Sequence, residues 1–99
     1  MDVYFLYLGQ RFVWDSGKAS SNASKHGIGF EVACQVLFDP FVRIEDASTA
    51  EEKRAAAIGL TEDWNLLFVV HMLREKDTIR IISARPATAP ERRSYENSE

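Results

Sequence analysis

Apolar positions in the first half of the chain follow the period of a helix. The spacing i, i+3, i+4, i+7 is found at Phe30, Ala33, Cys34 and Leu37. It predicts an amphipathic helix with one buried face, and Asp39-Pro40 should end it. A preceding helix is predicted over Ser16–His26, because Asp15 is a favourable N-cap and Gly27 a favourable C-cap.

Other segments carry β-prone or alternating residues. Strands are predicted at Val3–Leu8, Arg11–Trp14, Phe41–Asp46, Trp64–Leu73 and Thr78–Ala84. The fourth of these is apolar on both faces, so we expect it at the centre of a sheet, covered on both sides. Arg74–Asp77 is typical of a hairpin turn, which makes the last two strands antiparallel.

Residues 48–60 fit two interpretations. Ser48 and Thr49 each stand three residues before a glutamate, as in a capping box, and the following alanines favour a helix. In contrast, Ile58-Gly59-Leu60 before a polar turn suggests the end of a strand. A further capping box, Thr88-x-x-Glu91, predicts a last helix. We therefore expect an α+β domain with helices packed on one face of a sheet.

Composition narrows the class of protein. The 99 residues suffice for one domain, and a single cysteine excludes an internal disulfide and a cysteine-rich zinc site. We expect a small cytosolic domain, because we find neither a basic leader nor an apolar run long enough for a membrane span. The net charge of −3 is unevenly distributed. Residues 31–63 hold three basic and eight acidic side chains, whereas residues 74–93 hold six basic, mostly arginine, and three acidic ones.

Six blocks of residues, in order, resemble the BrnT family. The first block contains Trp14-Asp15, Lys18, Asn22, Lys25-His26-Gly27, Phe30-Glu31 and Ala33. The other blocks are Phe38–Phe41, Arg54 ahead of Ile58-Gly59, Leu67–His71, Ile79–Ala87 and Glu91–Glu96. The resemblance runs from about Phe12 to Glu96. Residues 1–10 precede the usual family start, so within a single domain over residues 1–99 they are a possible N-terminal extension.

The resemblance implies a toxin of a bacterial type II toxin–antitoxin system. The implied fold is RelE-like, a small antiparallel sheet with two N-terminal helices and one C-terminal helix. The implied activity is that of a metal-independent endoribonuclease, without cofactor, that inhibits translation and growth in the cytoplasm. The implied partners are RNA and a BrnA-like ribbon-helix-helix antitoxin, and operator DNA is contacted only through that antitoxin. The resemblance also favours a strand over Arg54–Leu60.

Metal-free RNA cleavage uses the substrate 2′-hydroxyl as nucleophile and requires a base, an acid and a cation for the phosphorane. Arg80 and Arg85 are the leading candidates for phosphate binding, because a guanidinium grips phosphate bidentately. A regular strand would point them to opposite faces, unless twist or a bulge turned Arg85. Arg54 either completes an arginine cluster or pairs with Glu51 or Glu52. We expect these arginines to converge on one exposed face.

Two neighbouring residues are candidates for acid–base chemistry. Lys25 and His26 end the first predicted helix, where positive charge is favoured by the helix dipole irrespective of function, while histidine is the residue type best suited to acid–base chemistry at neutral pH. His71 lies in an apolar strand and is interpreted as a core histidine. Glu31 is either a general base or an ordinary first-turn acid, and Cys34 is interpreted as a core residue.

The last predicted helix supplies a second candidate surface. Arg92, Arg93 and Tyr95 either hold RNA through phosphate contact and base stacking or contact the antitoxin. The acidic balance supports an alternative function, a catalytically degenerate toxin that acts only as a co-repressor with its antitoxin. The same balance argues against a DNA-binding protein.

Overall fold

Six strands and three α-helices form the fold in a computed structural model, which describes residues 1–97 and only the backbone of Glu75. The strands are β1 (Asp2–Tyr7), β2 (Gln10–Asp15), β3 (Arg43–Asp46), β4 (Ala55–Leu60), β5 (Leu66–Leu73) and β6 (Ile79–Pro86). The helices are α1 (Ser16–His26), the single turn α2 (Phe30–Ala33) and α3 (Ala89–Glu96). A 3₁₀ segment, Cys34–Phe38, continues α2, so the predicted second helix is only partly α-helical.

The strands form one sheet in the order β1-β2-β6-β5-β4-β3. All neighbours are antiparallel except β2 and β6, which pair in parallel through Phe12–Ile79 and Val13–Arg80. The expectation of a purely antiparallel sheet is therefore wrong. The parallel pairing arises from long-range topology. Most of the chain separates β2 from β6, so no hairpin fixes their relative direction.

One face of the sheet, the core face, is covered by α1 and α2. Its buried residues, together with those of the helices, are Phe12, Trp14, Phe30, Ala33, Cys34, Val36, Ala57, Leu67, Val69, Ile81 and Ala84. The other face, here the second face, is partly covered by α3. Arg85 follows the core residue Ala84 in β6, so its side chain points to the second face, where it pairs with Glu91 of α3. Glu45 of β3 accepts a hydrogen bond from Ser94 of α3 at 3.4 Å. The expectation that all helices pack on one face is therefore wrong.

Local sequence signals explain the ends of the elements. Asp15 accepts from the Lys18 backbone at 3.0 Å, and Gly27 has a left-handed φ of 70°, which confirms both predicted caps of α1. The capping box of Thr88 and Glu91 is confirmed. Thr49 caps only a turn with Glu52, and β4 begins at Ala55, so the strand interpretation of this segment is confirmed. Among residues 1–97, no helix combines the length and apolar character that crossing a bilayer demands.

Candidate functional site

A β-bulge decides where the arginines of β6 point. The register of β5 and β6 shifts between Val70 and His71, which leaves one extra residue in β6 and inverts the alternation of its side chains. Met72 pairs with Arg80 and Phe68 with Arg85, and both pairs lie on the second face. Because of the bulge, Arg80 and Arg85 lie on the same face, whereas a regular strand would point them to opposite faces.

The arginines share a face but do not form one cluster. Each guanidinium pairs with a carboxylate of its own: Arg80 with Asp2 at 2.9 Å, Arg54 with Glu52 at 2.5 Å, and Arg85 with Glu91 at 2.8 Å. Along β6, Arg80 and Arg85 are about 15 Å apart, and Arg54 is two strand spacings, about 10 Å, from Arg80. The expected convergence on a single phosphate is therefore wrong.

Arg85 connects α3 to the sheet. Both of its terminal nitrogens donate to Glu91 at 2.8 Å, and its guanidinium carbon lies 4.1 Å from the ring centre of Phe68. The hydrogen bonds from Arg85 hold the pKa of Glu91 below its usual value, and the same bonds raise the pKa of Arg85. Such a bidentate, stacked arginine stabilises the position of α3.

Arg80 occupies a different setting. Its side chain is 17% exposed, and Nη2 donates to Asp2, whereas the buried Nε has no hydrogen-bond partner. The guanidinium lies in a hollow lined also by Tyr4, Val13, Arg74, Lys76 and Thr78. Asp2 thus places an anionic group at Arg80, in the position that a phosphate oxygen would take.

A groove between α1 and β6 brings together the remaining predicted catalytic residues. The α1/β6 groove has a volume of about 510 Å³ and is lined by Lys18, Ser21, Lys25 and His26 from α1 and by Ile82 and Ser83 from β6, with Asp15 and Gly17 at the start of the helix. Lys18 and Lys25 are seven residues apart, so they share one helix face. Among the ion pairs of residues 1–97, none involves Lys18, Lys25 or His26. Lys18 lines the groove but was not among the predicted site residues. Its spacing of seven residues from Lys25 could have indicated that the two share a helix face.

The α1/β6 groove and the hollow around Arg80 lie next to each other along β6. Thr78 and Arg80 belong to the hollow, and Ser83 belongs to the groove, so the two are separated by only a few residues of strand, about 10 Å. Cationic side chains from α1, β6 and the hairpin before it therefore line the groove and the neighbouring hollow. We call the side chains Lys18, Lys25, His26, Arg74, Lys76 and Arg80 the basic track.

The candidate residues of α3 lie elsewhere. Arg92 and Arg93 are exposed, and Arg92 is 3.8 Å from Glu96 one turn later. Tyr95 is half-buried, and its hydroxyl donates to Asp39 at 2.5 Å. Burial, together with this hydrogen bond, raises the pKa of Tyr95 to about 12. Tyr95 therefore anchors the end of α3, in addition to any contact with RNA.

Three further residues from the sequence analysis, Cys34, His71 and Glu31, lie in settings that their positions in the fold explain. Cys34 is fully buried, which raises the pKa of its thiol to about 12 and confirms it as a core residue. His71 is half-buried with Nδ1 3.3 Å from the Val69 carbonyl, and burial lowers its pKa. Glu31 is exposed in the first turn of α2, where a negative charge interacts favourably with the helix dipole.

Comparison with known proteins identifies the family. The sequence profile of the family described as "Ribonuclease toxin, BrnT, of type II toxin-antitoxin system" matches residues 14–91. The chain belongs to the BrnT family. A crystal structure of the Brucella abortus ribonuclease toxin BrnT superimposes with a TM-score of 0.60 and is 25% identical in sequence, covering 76% of this chain and 92% of that chain. No protein of curated function matches the chain.

The family assignment defines the class of activity. The chain is a BrnT-type ribonuclease toxin of a type II toxin–antitoxin system, and its partners are an RNA substrate and an antitoxin. The α1/β6 groove and Arg80 lie within the residues that the BrnT profile matches. β1, which supplies Asp2 to Arg80, precedes the matched residues.

Proposed function

We propose that this BrnT protein is a metal-independent endoribonuclease whose active site is the α1/β6 groove, extended along the basic track to Arg80. The observation that supports the proposal is the grouping of Lys18, Lys25 and His26 around one groove without a carboxylate ion pair, in a ribonuclease family. Lysine ammonium groups supply positive charge for a phosphate, and an imidazole supplies a proton acceptor and donor near neutral pH.

The proposed reaction needs only the substrate and these side chains. His26 accepts the proton of the RNA 2′-hydroxyl as the 2′-oxygen attacks the adjacent phosphorus. Lys25 stabilises the negative charge of the phosphorane, and Arg80 binds a neighbouring phosphate of the same RNA strand, which displaces the Asp2 carboxylate. The bond from phosphorus to the 5′-oxygen breaks as that oxygen takes the proton that His26 had accepted, which leaves a 2′,3′-cyclic phosphate, a 5′-hydroxyl and a neutral His26.

The family context extends the proposal to the cell. RNA cleavage by this RelE-like toxin inhibits translation in the bacterial cytoplasm. A BrnA-like ribbon-helix-helix antitoxin neutralises the activity, and the complex reaches operator DNA through the antitoxin.

Cleavage of a defined RNA in EDTA tests the reaction. We expect His26→Ala, Lys25→Ala and Arg80→Ala to lower the cleavage rate about 100-fold or more. A 2′-deoxy nucleotide at the cleavage site should abolish cutting there, because the nucleophile is missing. Lys53→Ala, an exposed lysine outside the basic track, is the matched control and should cleave at the normal rate. Dependence on a divalent cation, or cutting of the 2′-deoxy substrate, would contradict the proposal.

A second candidate function has its own supporting observation. Each of Arg54, Arg80 and Arg85 is paired with a carboxylate, as a toxin that had lost cleavage and served only as a co-repressor would tolerate. Such a protein would bind the antitoxin tightly, yet its expression in bacteria would not slow growth. The EDTA assay and a growth curve therefore separate the two functions.

A further inference from the structure

A groove that shares no lining residue with the basic track displays large apolar side chains to solvent. It has a volume of about 540 Å³ and lies where the β1–β2 turn meets the 3₁₀ segment and the β4–β5 turn. We call it the aromatic groove; its most exposed apolar residues are Leu8 (70% exposed), Phe38 (39%), Phe41 (75%) and Trp64 (80%). Leaving this much apolar surface in water is unfavourable, and clustered exposure of this kind marks interaction sites.

Two of these residues are held outward by strained backbone. Leu8 has a φ of 49° and Trp64 a φ of 66°, a region that bulky side chains rarely adopt. Hydrogen bonds impose the conformation at Trp64: its N–H donates to the Thr61 carbonyl at 3.0 Å, and Asn65 donates to the Thr61 hydroxyl at 3.2 Å. Strain retained in two turns that meet at one groove indicates a rigid, preformed binding surface.

The charge of the aromatic groove distinguishes between partners. Among residues 1–97, its charged lining residues are the acids Asp39 and Glu62, which accept hydrogen bonds from Tyr95 and Tyr7, respectively. Burial raises the pKa of Asp39, but the bonds from Tyr95 and two backbone N–H groups outweigh it and hold that pKa below its usual value. A permanently acidic groove repels RNA and attracts a cationic protein segment.

We propose that the aromatic groove is the docking surface for the antitoxin, which inserts apolar side chains flanked by lysine or arginine. The proposal rests on the proposed neutralisation by an antitoxin, but not on the mechanism of RNA cleavage. Trp64 and Phe41 are the expected anchors, because aromatic side chains dominate the binding energy of protein interfaces. Leu8 lies outside the residues that the BrnT profile matches, whereas Phe41 and Trp64 lie within them.

Binding of the protein encoded by the adjacent open reading frame, measured by calorimetry with purified full-length toxin, tests this surface. We expect Trp64→Asn and Phe41→Asn each to weaken the Kd at least 30-fold. Asparagine tolerates a left-handed backbone, so Trp64→Asn should keep or raise the Tm. Leu73→Asn is the matched control, since Leu73 is 71% exposed and lies at the end of β5, outside the groove; its Kd should change less than threefold.

The outcomes separate this inference from the catalytic proposal. Weakened antitoxin binding with unchanged RNA cleavage supports the docking surface, and it does so as well if the wild-type protein cleaves no RNA. Unchanged antitoxin affinity in both aromatic variants overturns it, as does an equal loss in Leu73→Asn. Weakened RNA binding with intact antitoxin binding would assign the groove to RNA and also overturn it. Raised salt should weaken antitoxin binding less for Glu62→Gln than for the wild type, because an attractive charge is removed.

Discussion

At the scale of single residues, Asn22 carries more of the fold than its polar character suggests. It is 8% exposed, donates to the Ala84 carbonyl at 2.8 Å and accepts from the Ala84 N–H at 3.1 Å. It also donates to the Ile28 carbonyl at 3.2 Å. Asn22 thus takes the place of a neighbouring strand where β2 ends and β6 would otherwise have unpaired backbone groups. It also fixes the distance between α1 and β6, on which the α1/β6 groove depends.

Replacing Asn22 should therefore destabilise the whole domain. We expect Asn22→Ala to lower the free energy of unfolding by about 2–4 kcal/mol, because buried backbone groups lose their partners. Asn22→Asp should lower the free energy of unfolding by a similar amount, since a carboxylate accepts from the Ala84 N–H but cannot donate to the Ala84 carbonyl. Urea denaturation gives the measurement, and Ser24→Ala, at an exposed position of the same helix, is the control. An Asn22→Ala protein as stable as the control would refute this account.

At the scale of elements, α3 is joined to the rest of the fold by specific polar contacts. It contains no buried residue, and its polar connections to the rest of the fold include the Arg85–Glu91 pair, the Tyr95–Asp39 hydrogen bond and the weaker Ser94–Glu45 contact. Both Glu91 and Asp39 have a lowered pKa in the folded protein. A carboxylate with a lowered folded pKa stabilises the fold above its unfolded pKa, and this stabilisation is lost as the pH falls through the folded value.

The attachment of α3 should consequently weaken in acid. We expect the free energy of unfolding to be steady at pH 6 and to fall below about pH 4.5, the ordinary pKa of a glutamate. Glu91→Gln keeps the capping box but loses the ion pair, so it should be less stable at pH 6 by about 1–2 kcal/mol. The difference from the wild type should narrow as the pH is lowered.

Glu96→Gln is the control for this experiment, because Glu96 lies in the same helix and makes only an exposed contact with Arg92 at 3.8 Å. Its pH dependence should follow that of the wild type. A gap between wild type and Glu91→Gln that widened in acid would contradict the sign of the pKa shift.

The elements also show which information is local. Asp15, Gly27 and Thr88 cap helices through contacts within four residues, so their roles could be predicted from the sequence. The parallel pairing of β2 with β6 and the bulge beside His71 depend on packing between distant segments, and no local pattern carries them. The site follows the same division. Lys25 and His26 were proposed from their helix position, and the pairing of Arg54 with Glu52, two residues away, was one of the predicted alternatives, whereas the pairing of Arg80 with Asp2 joins distant segments.

At the scale of the whole molecule, the net charge of −3 conceals a separation of surfaces. The basic track collects cations from α1, β6 and the hairpin before it, and the charged side chains described in the lining of the aromatic groove are acidic. The two exposed strained turns could not be predicted, because positive φ at Leu8 and Trp64 is imposed by their surroundings. In the proposed function, an acidic protein thereby presents one surface to RNA and another to a cationic partner.

This separation predicts a marked salt dependence of RNA binding despite the acidic balance. Phosphate contacts by Lys18, Lys25 and Arg80 should give a slope of about −2 in a plot of log affinity against log salt, since each contact on a single strand contributes about −0.7. The measurement uses a 2′-O-methyl oligonucleotide, which the proposed mechanism cannot cleave. Lys18→Ala should reduce the slope by about 0.7, whereas Lys53→Ala should leave it unchanged. A slope near zero in the wild type, or an equal change in both variants, would mean that RNA does not follow the basic track.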